Sequence, residues 1–154
     1  MRQERQGKRG GIVLSLVLSL VAALFALAGC KSGTLVGQEQ SCEVGGGLLA
    51  EERAACTGSV DAVRGQPQLV IVDTDGELHG TYRLEATLSV GKGETKAHVT
   101  AVDGDRVGGQ LSPGESLRIS ADVDDEDEEV AAQLKVAGKK ASDLRYEATL
   151  APPG

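Results

Sequence analysis

The uncharged run from Ile12 to Ala28, 17 residues of Leu, Val, Ala, Ile, Ser and one Phe, constrains this chain more than any other stretch. It is long enough to cross or nearly cross a bilayer, and it comes after Arg2, Arg5, Lys8 and Arg9, opposed only by Glu4. A basic segment, an apolar segment and then small residues make the layout of a secretory signal. The run closes on Ala28 and Gly29, directly before Cys30. An uncleaved membrane anchor and an ordinary secretory signal that happens to precede a cysteine are the alternatives. All three export the remainder of the chain.

Leu27, Ala28, Gly29 and Cys30 resemble, position for position, the lipobox of bacterial lipoprotein precursors. The resemblance covers residues 1–30 only. It implies that Cys30 carries diacylglycerol on its sulfur, that cleavage falls between Gly29 and Cys30, and that the new α-amine is often acylated as well. Small residues suit the cleavage site because a peptidase takes the backbone extended, and bulk beside the scissile bond would block it. Two or three acyl chains, at ~0.8 kcal/mol per buried methylene, hold a protein to a membrane stably where one would not. Lys31 stands where enteric-type inner-membrane retention would have an aspartate, which favours the outer membrane in an envelope that has one.

The mature chain expected from this cleavage, Cys30 to Gly154, has 125 residues, enough for one domain with a real core. Removing four basic residues and one acidic from totals of 16 and 23 leaves 12 and 22, a net charge of −10. Such a chain as a whole repels phosphate backbones and anionic lipid head groups, which argues against nucleic acid as a partner. Only Tyr82 and Tyr146 remain as aromatics, too few for the flat stacking faces of sugar or base binding. The core must therefore come from Leu, Val, Ile and Ala.

With Cys30 assigned to lipid, Cys42 and Cys56 are the remaining thiols in an oxidising compartment, and they read as a disulfide. The closed loop would stabilise the fold by roughly 3 kcal/mol in the chain-entropy model. A zinc site is the alternative, but the two cysteines have no histidine nearby.

Residues 30–41 read as the acylated cysteine and a flexible polar tether. Residues 42–56 read as a disulfide-closed segment, whose Leu48–Ala55 stretch favours a short helix. Residues 57–151 carry period-two alternation, the mark of strands with one buried face. Tyr82, Leu84, Ala86, Leu88 and Val90 alternate with Arg83, Glu85, Thr87 and Ser89 most clearly. Gln68–Val72 reads as a strand buried on both sides. Further strands are expected over 95–102, 106–111, 115–123, 129–136 and 143–150, with turns at Asp103-Gly104-Asp105, Ser112-Pro113-Gly114 and Gly138-Lys139-Lys140. This spacing predicts an all-β fold, an antiparallel β-sandwich that resembles immunoglobulin-like or fibronectin-like modules in pattern alone. The core tryptophan and the inter-sheet cysteine placement of antibody domains are absent, so no binding residue is carried over. Arg83–Leu88 and Arg145–Leu150 share Arg and Glu-Ala-Thr-Leu in register, but their flanks differ, and convergence of two half-buried strands explains the echo.

Catalytic signals are weak. His79 and His98 have neither a nucleophile nor ligand spacing beside them, and no nucleotide or hydrolase fingerprint is present. The run from Asp122 to Glu129 holds seven carboxylates in eight residues. A Ca²⁺ ion held by Asp122, Asp124, Asp125 and Asp127, with Asp73 or Asp75 at the same end of the sandwich, would relieve their repulsion; a solvated loop tip is the plainer reading. The function expected is that of a non-enzymatic, lipid-anchored cell-envelope module, binding or structural, whose partners are the membrane through Cys30 and an envelope protein or polymer. A calcium-dependent adhesion module is the alternative.

Overall fold

The structure, a computed structural model, describes residues 33–47, 50–75, 78, 80–124 and 129–154. The segment expected to be a signal, residues 1–29, and Cys30, His79, Asp125 and Asp127 lie outside them. Among the described residues eight strands run in order: β1 Thr34–Gly47, β2 Ala50–Arg64, β3 Gln68–Asp73, β4 Thr81–Ser89, β5 Lys92–Thr100, β6 Arg106–Leu111, β7 Ser116–Asp124 and β8 Glu129–Ala151. Every pairing is antiparallel. The result is the all-β antiparallel sandwich that the alternation predicts.

The two layers share β8. Its first half pairs with β3 on one side and β5 on the other, and β5 pairs with β6. Its second half lies between β2 and β4, in the order β1-β2-β8-β4-β7. The turn expected at Gly138-Lys139-Lys140 does not divide two separate strands; instead the chain bends there and continues. Glu94 pairs with Ala137, yet Lys92 pairs with Ser142, so Gly93 alone faces four residues of β8. Gly93 has φ 75°, and a Cβ there would lie 2.6 Å from the Lys140 carbonyl oxygen. That close approach requires glycine.

The inward sets of β4, β7 and β8 obey their period-two pattern. Leu84, Leu88, Ile119, Leu134, Leu144 and Leu150 are buried in one core. In β3 the pattern is broken by a bulge between Val70 and Val72 that turns Ile71 and Val72 both inward. The expected burial on both faces is not what the strand has: Gln68 is exposed and Val70 half-buried, and the two adjacent buried residues come from the register shift.

Two expectations for the N-terminal part need correction. The tether of residues 30–41 is not flexible from residue 34 onward, where β1 begins, and the helix expected over Leu48–Ala55 is replaced by β2 from Ala50. Helix propensities differ by only some tenths of a kcal/mol per residue, and β2 is paired on both sides, to β1 and β8. Ala54 and Cys56 are buried against that core. β1 hides its strand character because the polar Gln38 and Gln40 share the parity of Cys42 and Val44, where an alternating apolar pattern would be expected. As the edge strand it needs less apolar surface.

Cys42 and Cys56 are bonded, with Cα atoms 4.1 Å apart, directly opposite each other in the β1–β2 register. The bridge therefore joins neighbouring strands of a long hairpin and does not pin a helix or loop. Between the layers, the Tyr146 ring covers Gly58, its cross-strand partner, and its hydroxyl donates to the Val70 carbonyl at 3.3 Å beside the β3 bulge. A Cβ on Gly58 would lie 2.2 Å from that hydroxyl oxygen. Burial pushes the Tyr146 phenol above its ordinary pKa, and a hydrogen bond with Gln38 offsets part of the rise.

Candidate functional site

The outer face of the five-stranded layer is polar by the same alternation that fills the core. One row across it reads Ser41, Thr57, Glu147, Thr87 and Arg118; the next reads Glu39, Ser59, Arg145, Ser89 and Ser116. All of these residues except Arg118 line a groove of about 770 Å³. Small hydroxyl side chains line its floor, and Arg145 stands in the middle with Asp61, Asp143 and Glu147 around it. Among the described residues Arg145 is in no ion pair. The groove offers hydrogen bonds from hydroxyls and one guanidinium; Tyr146 borders it but is buried in the core, and no histidine lines it. It suits recognition of a polar chain or surface by many weak contacts.

The groove is not legible along the chain. Its signal is the outward parity of Thr57, Ser59, Thr87 and Ser89, but rows form only once four registers are known.

The acidic residues do gather at one end. Asp73 faces Glu129, Thr81 faces Asp124, and the Val102 amide donates to the Asp122 carbonyl, which brings the 101–105 loop to the same strand tips. Their side chains have other work. Asp122 pairs with Arg83 at 2.7 Å, its Oδ2 also accepting from the guanidinium. Asp73 accepts the Asp75 amide at 3.1 Å, and Asp103 accepts the Asp105 amide at 3.0 Å, each closing its own turn. Asp124 is exposed. Among the described residues no three acidic, histidine or cysteine side chains form a group able to hold a metal ion. His98 is half-buried on the outer face of β5, between Gly108 and Gln133 in register, with no partner for chemistry.

No family model matches the sequence, and no curated protein matches it. Solved structures give distant likenesses among β-rich proteins. Procruciferin, the 11S globulin of Brassica napus, is 18% identical over 65% of this chain, with a TM-score of 0.33, and the chain spans 20% of that protein. Peruvianin-I, a cysteine peptidase from Thevetia peruviana latex, is 15% identical with a TM-score of 0.37, covering 77% of this chain and 64% of its own. An oxalate oxidase is 15% identical with the same TM-score of 0.37, covering 82% and 57%. Likenesses this distant carry nothing about activity.

Proposed function

We propose that this chain is a lipoprotein of the bacterial cell envelope, held to the membrane by acyl chains on Cys30, whose sandwich serves as a binding or structural accessory module and not as an enzyme. The lipobox Leu27-Ala28-Gly29-Cys30 at the end of the apolar run carries the reading. The disulfide supports it, because Cys42 and Cys56 consume each other and leave Cys30 as the single thiol of the chain. The hydroxyl-lined groove is the surface through which the module would meet an envelope protein or polymer. With Lys31 after the acylated residue, the outer membrane is the site in an envelope that has one.

The test is Cys30→Ser in the native host. It should leave a slower-migrating precursor that takes up no labelled palmitate, while the parent protein is labelled and processed. Palmitate incorporation unchanged in the variant sinks the reading.

A further inference from the structure

The net charge of −10 conceals a segregation along the strands. All five lysines among the described residues, Lys92, Lys96, Lys135, Lys139 and Lys140, lie in the half where the chain folds from one layer to the other. Arg64 joins them: Val63 pairs with Ala141, which brings Arg64 beside Lys140, and Lys92 pairs with Ser142. Lys96 and Lys135 face each other in register on the outer face of the second layer. Arg64, Lys92, Lys139 and Lys140 are exposed, and among the described residues none of them is in an ion pair. The acids of this end are Asp61, Glu94, Glu115 and Asp143, two fewer than the six cations. At the opposite end the described residues include Asp73, Asp75, Asp103, Asp105, Asp124 and Glu129 against Arg53 and Arg106, apart from the Arg83–Asp122 pair.

The lipid-bearing terminus enters at the basic end. Gly33 is pressed against Pro67 and the Arg64 backbone, where a Cβ would come within 2.2 Å of the proline ring. Cys30 is three residues upstream of Gly33, so its acyl chains attach within about 11 Å of that corner. The acidic end lies a nine-residue strand away, about 30 Å, while charges are screened over about 8 Å at physiological salt. A surface that holds Cys30 therefore senses the basic end and hardly senses the acidic one.

We propose that the folded end of the sandwich, through Arg64, Lys92, Lys139 and Lys140, docks on anionic lipid headgroups, and that this sets the domain upright with its acidic end away from the membrane. The proposal rests on the lipoprotein reading and adds to it an orientation and a lipid preference. Each cation near an anionic bilayer is worth about five-fold, so a net of two favours the docked orientation about 25-fold.

The experiment uses the full acylated protein reconstituted into vesicles of phosphatidylcholine alone, or with phosphatidylglycerol as about a third of the lipid. A membrane-impermeant amine-acetylating reagent is applied, and labelling is read lysine by lysine by mass spectrometry, together with the acyl mass on Cys30. Lys92, Lys139 and Lys140 should be protected at least about five-fold in the anionic vesicles relative to the neutral ones. Protection should disappear at about 1 M salt, where the screening length is about 3 Å, an arm that needs no variant. Arg64→Gln with Lys92→Gln should lower protection at Lys139 and Lys140. Equal labelling in the two vesicle types, with acyl mass intact, overturns the docking face and leaves the lipoprotein reading standing. Absence of acyl mass on Cys30 overturns both.

Discussion

The two ends of the sandwich are built on different terms. At the folded end four connections carry the chain between layers within a few residues each: Arg64 to Gln68, Ser89 to Lys92, Leu111 to Ser116, and the bend of β8. Backbone passes so near backbone there that Gly33 and Gly93 have no room for a Cβ. At the other end the strands simply stop. Gly80 and Gly104 have positive φ but open space around them, and the loops close on their own aspartates. Packing dictates residues at the first end, whereas solvation is all that the second requires. That freedom lets one end collect carboxylates without cost to the core.

The largest expected effect separates the ends by backbone crowding. Gly93→Val should destabilise by about 3 kcal/mol or more, since the side chain meets the Lys140 carbonyl in a left-handed conformation. Gly104→Val, with φ 87° and no neighbour within 4 Å, should cost only the conformational part, about 1 to 2 kcal/mol. Urea midpoints of the two variants measure the difference. Equal losses would break the comparison.

A smaller effect concerns how the layers are tied between the ends. Tyr146→Phe removes the hydrogen bond to Val70 and should cost about 1 kcal/mol. It should also change the alkaline limb of stability. Burial raises the folded-state pKa of Tyr146 above 10.0, so its contribution is fully present below pH 10.0 and is lost as pH rises through the raised value. Melting temperature against pH should therefore fall less steeply above that point in the variant. Identical alkaline slopes would show that the phenol does not report on this packing.

The smallest expected effect is at the acidic end. Because Asp122 is paired with Arg83 and Asp73 and Asp103 close their own turns, Ca²⁺ should shift the melting temperature no more than Mg²⁺ at equal ionic strength. A calcium-specific rise, lost on Asp124→Asn, would turn the open end from a solvated tip into a cation site and revive the adhesion reading. Binding at ~100 times Kd would add ~2.7 kcal/mol.

Much of the fold was legible because alternation is a local property. Tyr82 through Val90 and Leu144 through Leu150 assigned their own inward faces, and each inward residue is buried as its parity required. The disulfide was legible by elimination of Cys30. β1 and the start of β2 were not, for opposite reasons. Gln38 and Gln40 dilute the pattern at an edge, while Ala50 through Ala55 carry helix formers that only the pairing to β1 and, from Ala54, to β8 overrules. The turn residues at Gly138-Lys139-Lys140 correctly announced a change of direction. Whether a change of direction reverses a strand or folds it into a second layer depends on its neighbours.

By itself the sequence determined the compositional limits, the strand parity and the apolar run that ends in Leu27-Ala28-Gly29-Cys30, since each is carried by residues close along the chain. The tertiary structure decided which parities align into a hydroxyl-lined groove, that β8 belongs to both layers, and that Arg64, Lys92, Lys139 and Lys140 meet beside the entry of the N-terminal chain. Those facts depend on pairings between residues as far apart as Thr34 and Arg64 or Arg83 and Ala151, and no local pattern encodes a register across that separation.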